Sequence, residues 1–152
     1  IFFIKISYDS VIFVFCKINK LVDTPVPLRE NELFGNSPDG LTECQKFSCE
    51  IKCPSKEVHT SYITGNILPY FWQNVSYFAI NPKLEKHYFI SYRPESKIPA
   101  YIIELTRDSE AYRTKTINEN IGESANKLKS KADLMLIELN KIKEELEIEY
   151  MI

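Results

Sequence analysis

The chain has 152 residues, of which 44% are hydrophobic, 12% aromatic and 26% charged, with a formal net charge of -2. This length and composition are ordinary for one folded domain, and they exclude a disordered or low-complexity chain. The slightly acidic total also excludes the overall basic character of many nucleic-acid binders, so any contact with DNA must be local.

The amino-terminal segment, residues 1–23, is apolar and rich in β-branched residues, and its pattern fits either a strand or a short buried helix. Polar residues such as Lys5 and Asp9 interrupt it well before the roughly 20 apolar residues that a membrane span needs. We therefore predict no membrane segment and a cytoplasmic protein. Because the chain begins with Ile1 rather than Met, it is expected to be a fragment or a processed product.

Two turn signals and one strand follow. The prolines of Asp23–Pro27 break regular structure, Asn36–Gly40 has the Pro, Asp and Gly residues of a tight turn, and Leu28–Gly35 between them is predicted to be an extended arm. Phe47–Cys53 alternates as a strand that ends before Pro54. We expect one face to be core and the other to carry chemistry. The core face has Phe47, Cys49, Ile51 and Cys53, and the other face has Ser48, Glu50 and Lys52.

The middle of the chain predicts a helix and two strands. Pro69 suits the first turn of a helix that runs to about Ile80. Strands are predicted at about Lys86–Tyr92 and Ala100–Leu105, separated by a proline-containing loop, and they are expected to pair antiparallel.

The carboxyl-terminal region is predicted to be helical from Asp108 onward. Gly122 costs about 1 kcal/mol relative to Ala inside a helix, which favours a kink or a break into two helices there. An apolar seam recurs at steps of four and three, a pattern that suits packing on the domain's own sheet and also an intermolecular contact. The seam consists of Ile121, Ala125, Leu128, Ala132, Met135, Leu139, Ile142 and Leu146.

The residues with the clearest chemistry are Asp39, Glu50 and Lys52. Asp39 lies in the predicted turn, and Glu50 and Lys52 project from one face of the strand, so the three are expected to share one pocket. Two carboxylates suit Mg²⁺, which prefers oxygen ligands, and a nearby lysine can orient or deprotonate a water that attacks a phosphodiester. The Ile51 carbonyl would complete the set of metal ligands.

Three other side chains have a structural and a functional interpretation each. Trp72 can stack on a nucleotide base, but an aromatic residue on an amphipathic helix is more often part of the core. His59 and His87 have no acidic or cysteine partner at metal-ligand spacing. We therefore predict that they are surface or strand histidines.

The cysteines and several basic residues are also open to two interpretations. The cysteines lack paired zinc-site spacing, so we predict reduced, buried thiols rather than zinc or iron–sulfur ligands; they are Cys16, Cys44, Cys49 and Cys53. Scattered basic residues fit a patch that follows DNA phosphates and equally fit ordinary solvated side chains. They are Lys56, Lys83, Lys86, Arg93 and Lys97.

Two short segments, Ser37–Leu41 and Glu50–Pro54, closely resemble the motif pair of the YqaJ-like viral recombinase family, which includes lambda exonuclease and belongs to the PD-(D/E)XK nuclease superfamily. The likeness continues in Tyr70–Gln73, which resembles the family's helix motif of Tyr and Gln, and in the turn Tyr92–Pro94. It covers the chain from about Lys17 to the carboxyl-terminal helix.

The resemblance implies an α/β fold with a restriction-endonuclease-like core. We expect a central mixed sheet with helices on both faces, the motif turn and strand at its open edge, and a long carboxyl-terminal helix or helix pair. Residues 1–152 would form a single nuclease domain. Within it, residues 1–23 are uncertain, 24–105 form the catalytic core and 106–152 form the helical region.

The resemblance also implies roles for individual residues. Asp39 and Glu50, with the Ile51 carbonyl, would bind Mg²⁺ or Mn²⁺, and Lys52 would activate the attacking water. Gln73 would help to shape the catalytic site, and Tyr70 and Gln73 are candidate DNA contacts. The implied activity is a 5′-to-3′ exonuclease on double-stranded DNA ends, leaving 3′ single strands for a phage annealing protein, in a ring-shaped homotrimer.

The sequence departs from the family in two places. The family has an acidic residue on an upstream helix, for which Asp9 is only a loose candidate, and the basic residues that hold the substrate's terminal phosphate would precede residue 1. Three alternatives therefore stay open. The chain could be a truncated relative that binds DNA or a partner without cutting, a structure-specific or restriction-like endonuclease, or an oligomeric scaffold built on the heptad helix.

Overall fold

A mixed β-sheet forms the centre of this computed structural model, which describes residues 21–22, 28–29, 34–64, 67–110 and 119–150. The strands are β1 (Leu21–Val22), β2 (Leu28–Arg29), β3 (Gly35–Asn36), β4 (Gly40–Thr42), β5 (Phe47–Lys52), β6 (Lys86–Tyr92) and β7 (Ala100–Leu105). The helices are α1 (Lys56–Ile63), α2 (Phe71–Ile80) and α3 (Ile121–Tyr150).

Strand β5 lies in the middle of a five-stranded sheet with the order β1-β4-β5-β6-β7. It runs antiparallel to β4 and parallel to β6, and β6 pairs antiparallel with β7 as predicted. A parallel pair needs a crossover, which the chain makes through α1 and α2. The predicted mixed sheet is confirmed. The motif strand, however, is not at an open edge, because β5 has a neighbour on each side.

All three helices contact the same face of the sheet. Tyr62 of α1 packs edge-on against Phe89 of β6 with ring centroids 5.4 Å apart, and Tyr77 of α2 stacks on His87 at 4.5 Å. Ile121 of α3 lies in the same buried cluster as Phe89. The helices were predicted on both faces of the sheet, but those of the described residues lie on one face. The opposite face carries a second, smaller cluster of Cys49, Ile51, Ile90 and Tyr92.

Helix α1 is absent from the sequence prediction, although its first turn carries a signal. The Ser55 side chain accepts a hydrogen bond from the Val58 N–H, and Glu57 lies in the first turn, where a negative charge favours the helix dipole. The helix has only 8 residues, mostly polar, so no apolar stripe marks it in the sequence. A strong cap directly after Pro54 is the feature that would have predicted it.

Helix α2 follows the prediction closely. Pro69 lies in a one-turn 3-10 helix, Leu68–Tyr70, that leads directly into α2. The helix ends at Ile80, and the backbone N–H of the capping residue Asn81 donates to the Tyr77 carbonyl. The predicted start is thus displaced by two residues, and the predicted end at Ile80 is confirmed.

Helix α3 begins later than predicted. Residues Thr106–Ser109 form a turn, and Glu110 pairs with Asn120 as an isolated bridge, so the described residues between Asp108 and Asn120 are not helical. The helix starts with reciprocal hydrogen bonds between Asn120 and Glu123, in which each backbone N–H donates to the other side chain. This is the arrangement of a capping box, with Asn as the first residue.

The predicted kink at Gly122 is also wrong. Gly122 lies in the first turn of a single 30-residue helix, where it interrupts no interior hydrogen bonds. Its N–H donates to the Arg107 carbonyl at 2.8 Å, and a Cβ atom at this position would lie only 3.3 Å from Arg107. A close approach between the helix start and the turn after β7 therefore explains the glycine.

The apolar seam of α3 is buried in its first half only. Ile121, Ala125 and Ala132 are buried in the domain. Met135 and Ile142, further along the same seam, are 63% and 52% exposed. The interpretation that the seam packs on its own domain is therefore correct up to Ala132, and the seam beyond it has no comparable cover among the described residues.

Several predictions fall outside the described residues. These include the strand-or-helix alternative for residues 1–20, Asp9 as a metal ligand and Cys16 as a reduced thiol. The predicted arm is described at its two ends, where β2 and β3 pair antiparallel as a small separate sheet. Within the described parts of the chain, none of the helices combines the length and apolar composition needed to cross a membrane.

Candidate active site

The carboxylate of Glu50 is the centre of the site. It is buried on β5 with 5% of its surface exposed, and three side chains donate hydrogen bonds to it. Lys52 Nζ lies 2.5 Å and Gln73 Nε2 2.8 Å from Oε1, and the Tyr77 hydroxyl lies 2.6 Å from Oε2. Because a buried polar group needs hydrogen-bond partners, these three donors explain how the acid is held inside the sheet.

Asp39 joins this centre from the turn that precedes β4. Its Oδ2 accepts a hydrogen bond of 2.7 Å from the backbone N–H of Ile51. Strand β4 starts at Gly40, which pairs with Cys49 of β5. Asp39 directly precedes this pair, so its carboxylate bonds to β5 where the next strand residue would. A strand residue in an antiparallel hydrogen-bonded pair directs its N–H and C=O to the same side, so the Ile51 carbonyl is expected on the side of Asp39.

The two carboxylates influence each other electrostatically. Burial raises the pKa of Asp39 above its ordinary value, and the negative charge of Glu50 adds to this increase. The hydrogen bond from Ile51 and the charge of Lys52 act in the opposite direction. A carboxylate whose ionised form is disfavoured by burial and by a second acid is one that a bound cation would stabilise.

Lys52 extends from the end of β5 toward the opening of the site. Its side chain is 23% exposed, and its ammonium group contacts Glu50 and lies 4.8 Å from the centre of the Tyr70 ring. Tyr70 itself is half-buried and packs against Tyr62 and Phe89. The Tyr70 ring therefore helps to orient the lysine and is partly accessible, and its contact with DNA stays a prediction.

Tyr77 is a site residue that sequence reasoning missed. Its phenol donates to Glu50, accepts a hydrogen bond of 3.2 Å from Gln73 Nε2 and stacks on the buried His87 ring. Burial and the bond to Glu50 raise the pKa of Tyr77 above its ordinary value, so the phenol keeps its proton. The available signal was its spacing, because residues 73 and 77 are four apart and share one helix face.

His87 lies behind Tyr77 as a neutral ring. It is fully buried, its Nδ1 lies 2.8 Å from Ser48 Oγ, and its Nε2 has no hydrogen-bond partner among the described residues. Burial lowers the pKa of His87 to about 3, and the nearby charge of Lys52 acts in the same direction. The prediction of a strand histidine is correct for His87. His59 is instead a buried helix residue, bonded to Ser91 and to the Ile98 carbonyl.

The donor set fits a hard divalent cation. The Glu50 charge acts on Asp39, whose carboxylate is held by the Ile51 N–H, so the two acids could hold a cation together with the Ile51 carbonyl. No cluster of three or more His, Cys, Asp or Glu residues suited to a metal occurs in the described part of the chain. Two acids and a carbonyl match Mg²⁺, which usually keeps several water ligands.

The remaining predicted residues lie outside this cluster. Trp72 is 43% exposed, so the interpretation of it as a core residue is wrong. Lys86 and Arg93 flank opposite ends of β6, where they bind Glu104 and the Pro54 carbonyl, so they do not belong to one patch. Cys49 is a buried free thiol as predicted, whereas Cys44 and Cys53 are free but exposed, contrary to the predicted burial.

Comparisons with known proteins support the fold. No protein-family model matches the chain, and no curated protein matches it in sequence. Its structure is similar to the crystal structure of an alkaline exonuclease, LHK-Exo, from Laribacter hongkongensis, with a TM-score of 0.53 and 20% sequence identity over 88% of this chain and 69% of that one. The structure of LHK-Exo in complex with dAMP is similar to the same degree, with a TM-score of 0.53 over 88% and 68% of the two chains. The mixed sheet flanked by helices is therefore a fold that this chain shares with an exonuclease.

Proposed function

We propose that this chain is the core of a metal-dependent deoxyribonuclease, an exonuclease that resects double-stranded DNA ends from 5′ to 3′. The observation that carries the proposal is the meeting of Asp39, Glu50 and Lys52, in which the lysine and the second acid are in direct contact. The shared fold with an alkaline exonuclease, also solved in complex with the nucleotide dAMP, supports it.

Asp39, Glu50 and the Ile51 carbonyl would hold Mg²⁺, or Mn²⁺ in its place. The ion supplies positive charge and Lewis acidity at a phosphodiester, which is the chemistry that two carboxylates alone lack. Since both acids are constrained, one by the Ile51 N–H and the other by three side-chain donors, they form a site prepared in advance.

The other side chains have separate tasks. In the hydrolysis, a water oxygen forms a bond to phosphorus, the bond from phosphorus to the 3′ oxygen breaks, and that oxygen gains a proton. The Lys52 ammonium, which is partly exposed and directed by Tyr70, would orient the water and stabilise negative charge on the phosphoryl oxygens. Gln73 and Tyr77 position Glu50 and do not need to touch DNA.

The motif resemblance extends the proposal to partners. The substrate would be a double-stranded DNA end, the product strand would pass to a single-strand annealing protein of a phage, and the chain would assemble as a homotrimer in the cytoplasm of a bacterial or infected cell. These partners complete a recombination pathway in which resection must precede annealing.

The test is Mg²⁺-dependent degradation of linear, 5′-phosphorylated duplex DNA, with a closed circle of the same sequence as a second substrate. We expect loss of the linear DNA only, with a 5′ label released at once on a mononucleotide and a 3′-labelled strand shortened progressively. Lys52→Ala should lower the rate by about 10³-fold or more, because it removes a charge that acts on the reacting group. Lys141→Ala is the matched control, since Lys141 is exposed on α3 and outside the cluster.

Each alternative has its own outcome. Cutting of the circle would replace the exonuclease by an endonuclease, because an exonuclease needs an end. Equal activity of the Lys52→Ala and parent proteins would contradict the assigned site. Absence of cleavage together with DNA binding would favour a non-catalytic relative.

A further inference from the structure

A groove of about 770 Å³ lies beside the candidate active site, between Trp72 on α2 and the first half of α3. This volume is within the range of pockets that take small organic ligands. The groove is not part of the Glu50 cluster, because none of the side chains that bind Glu50 line it. It is therefore a separate concave surface without a role in the chemistry described above.

The Trp72 side chain forms one wall of the groove. It is 43% exposed and meets the Phe71 ring at 71°, an edge contact rather than a stacked one. An exposed indole is costly in water, and aromatic side chains at nucleic-acid sites use this surface to stack on bases of any sequence. Trp72 therefore has the exposure and the size needed for base stacking.

The opposite wall carries two lysines, one acid (Glu119) and small polar groups. Lys127 and Lys131 are one helical turn apart on α3 and line the groove together with Ser124 and Ser130. Lys127 is bound by Glu119, but Lys131 is exposed and makes no ion pair within the described residues. The groove thus offers at least one ammonium group to an anion, next to an apolar surface.

One residue of the groove and one residue of the catalytic cluster are neighbours on α2. Trp72 directly precedes Gln73, which binds Glu50, and successive residues of an α-helix are separated by about a quarter of a turn. Trp72 is therefore within reach of a DNA strand that leaves the catalytic cluster across α2. We propose that this groove binds a short stretch of single-stranded DNA, with Trp72 stacked on a base and Lys131 contacting a phosphate. This proposal rests on the proposed nuclease function, since it names the path of one DNA strand beside that site.

Trp72 is the single tryptophan of the chain, so its fluorescence reports the groove directly. The experiment is a titration of the full chain with a short oligothymidylate, in EDTA to prevent cleavage and at several salt concentrations. We expect quenching that saturates and weakens with salt. A labelled oligothymidylate followed by anisotropy should bind Trp72→Ala about tenfold or more weakly, because stacking on one base is lost.

Lys131→Ala gives a second variant that keeps the fluorophore. It should weaken binding severalfold and reduce the slope of log affinity against log salt by about 0.7, the contribution of one phosphate contact on a single strand. Lys141→Ala is the matched control, because it removes an exposed lysine from the same helix outside the groove. It should bind with a slope close to that of the parent protein.

The outcomes separate this proposal from the proposed function. Lys52→Ala should keep the quenching while losing cleavage. If the parent protein cleaves DNA but oligothymidylate neither quenches Trp72 nor binds Trp72→Ala more weakly, the groove assignment is overturned and the nuclease stands. If quenching depends on Trp72 and Lys131 but no cleavage occurs with Mg²⁺, the groove stands and the nuclease assignment fails. An equal loss of affinity for oligothymidylate and for duplex DNA in Trp72→Ala would also overturn the assignment of the groove to a single strand.

Discussion

Polar side chains are ordinarily exposed and large apolar ones buried, but two regions depart from this in opposite ways. They are the cluster around Glu50 and the outer half of α3, which is the part that follows Ala132. At Glu50, charged and polar groups are buried and held by one another. On the outer half of α3, large apolar side chains such as Leu134 and Met135 are 60% and 63% exposed. Both arrangements cost free energy in an isolated domain. The comparison teaches that folding of the described domain does not by itself explain either region.

The largest expected effect separates the two halves of the α3 seam. Ala125 is fully buried in the main cluster, whereas Met135 continues the same seam in solvent. Ala125→Asp should lower the free energy of unfolding by roughly 3–5 kcal/mol, the scale for a buried charge without a partner. Met135→Asp, the matched substitution, should change it by less than about 0.5 kcal/mol. Urea unfolding of the two variants measures both values.

Equal destabilisation by the two substitutions would break the comparison, because it would mean that the outer half is also covered. If that destabilisation of Met135→Asp depended on protein concentration, a second copy of the chain would be the cover. The exposed seam would then be an interface between subunits.

A smaller effect, the loss of stability at low pH caused by the buried His87, tests the polar interior around Glu50. The pKa of His87 is lowered to about 3 by burial, so the folded protein excludes a proton that the unfolded chain takes up below about pH 6.5. The unfolded state therefore binds more protons, and stability is complete above pH 6.5 and falls as the pH decreases toward 3. The loss from this one group amounts to roughly 2–3 kcal/mol by pH 4.5.

His87→Gln provides the control for that pH dependence. It removes the titrating ring, while the carboxylates that also titrate in this range are common to both proteins. The difference in unfolding free energy between parent and variant should therefore narrow as the pH falls from 7.5 to 4.5. A difference that stays constant with pH would show that His87 takes up a proton equally in the folded and unfolded states. It would weaken the description of the cluster as a closed polar interior.

Local patterns in the sequence were sufficient for much of the fold. The strands Lys86–Tyr92 and Ala100–Leu105 have the predicted bounds, because alternation and flanking prolines act over a few residues. The turn at Asp39 and the alternation of Glu50 and Lys52 likewise predicted that these residues lie near one another; Glu50 contacts Lys52, and Asp39 accepts from the Ile51 N–H between them. Such features depend on backbone geometry that neighbours in sequence determine.

The features that were missed depend on residues far apart in sequence. The central position of β5 follows from its pairing with β6, 39 residues later at the Ser48–His87 pair, and no local pattern encodes that partner. The burial of His59 depends on a hydrogen bond to Ser91. The heptad seam predicted a helix face correctly, but periodicity is the same whether the face is covered or exposed, so it did not predict where burial ends at Ala132.

The smallest expected effect comes from a substitution that removes one oxygen atom, and it tests whether the buried cluster serves catalysis. Tyr77→Phe keeps the ring that stacks on His87 but deletes the donor to Glu50 Oε2. A hydrogen bond to a charged group contributes about 1.5–3 kcal/mol, so misplacement of Glu50 should lower kcat by about tenfold or more. KM for DNA should stay the same, since Tyr77 is buried and does not face a substrate.

Tyr88→Phe is the matched control for this prediction, because Tyr88 is a half-buried tyrosine on β6 that interacts with Glu104 outside the cluster. It should leave kcat unchanged. A purely structural role for Tyr77 predicts instead a loss of thermal stability with the kcat of the folded fraction preserved. If Tyr77→Phe behaves in that way, the hydrogen bond to Glu50 serves folding alone, and only Gln73 and Lys52 remain to position the acid for catalysis. If kcat falls while the melting temperature of Tyr77→Phe stays close to that of Tyr88→Phe, the hydrogen bond from Tyr77 serves the reaction rather than folding. The buried polar groups around Glu50 then cost stability but maintain the geometry of the reacting site.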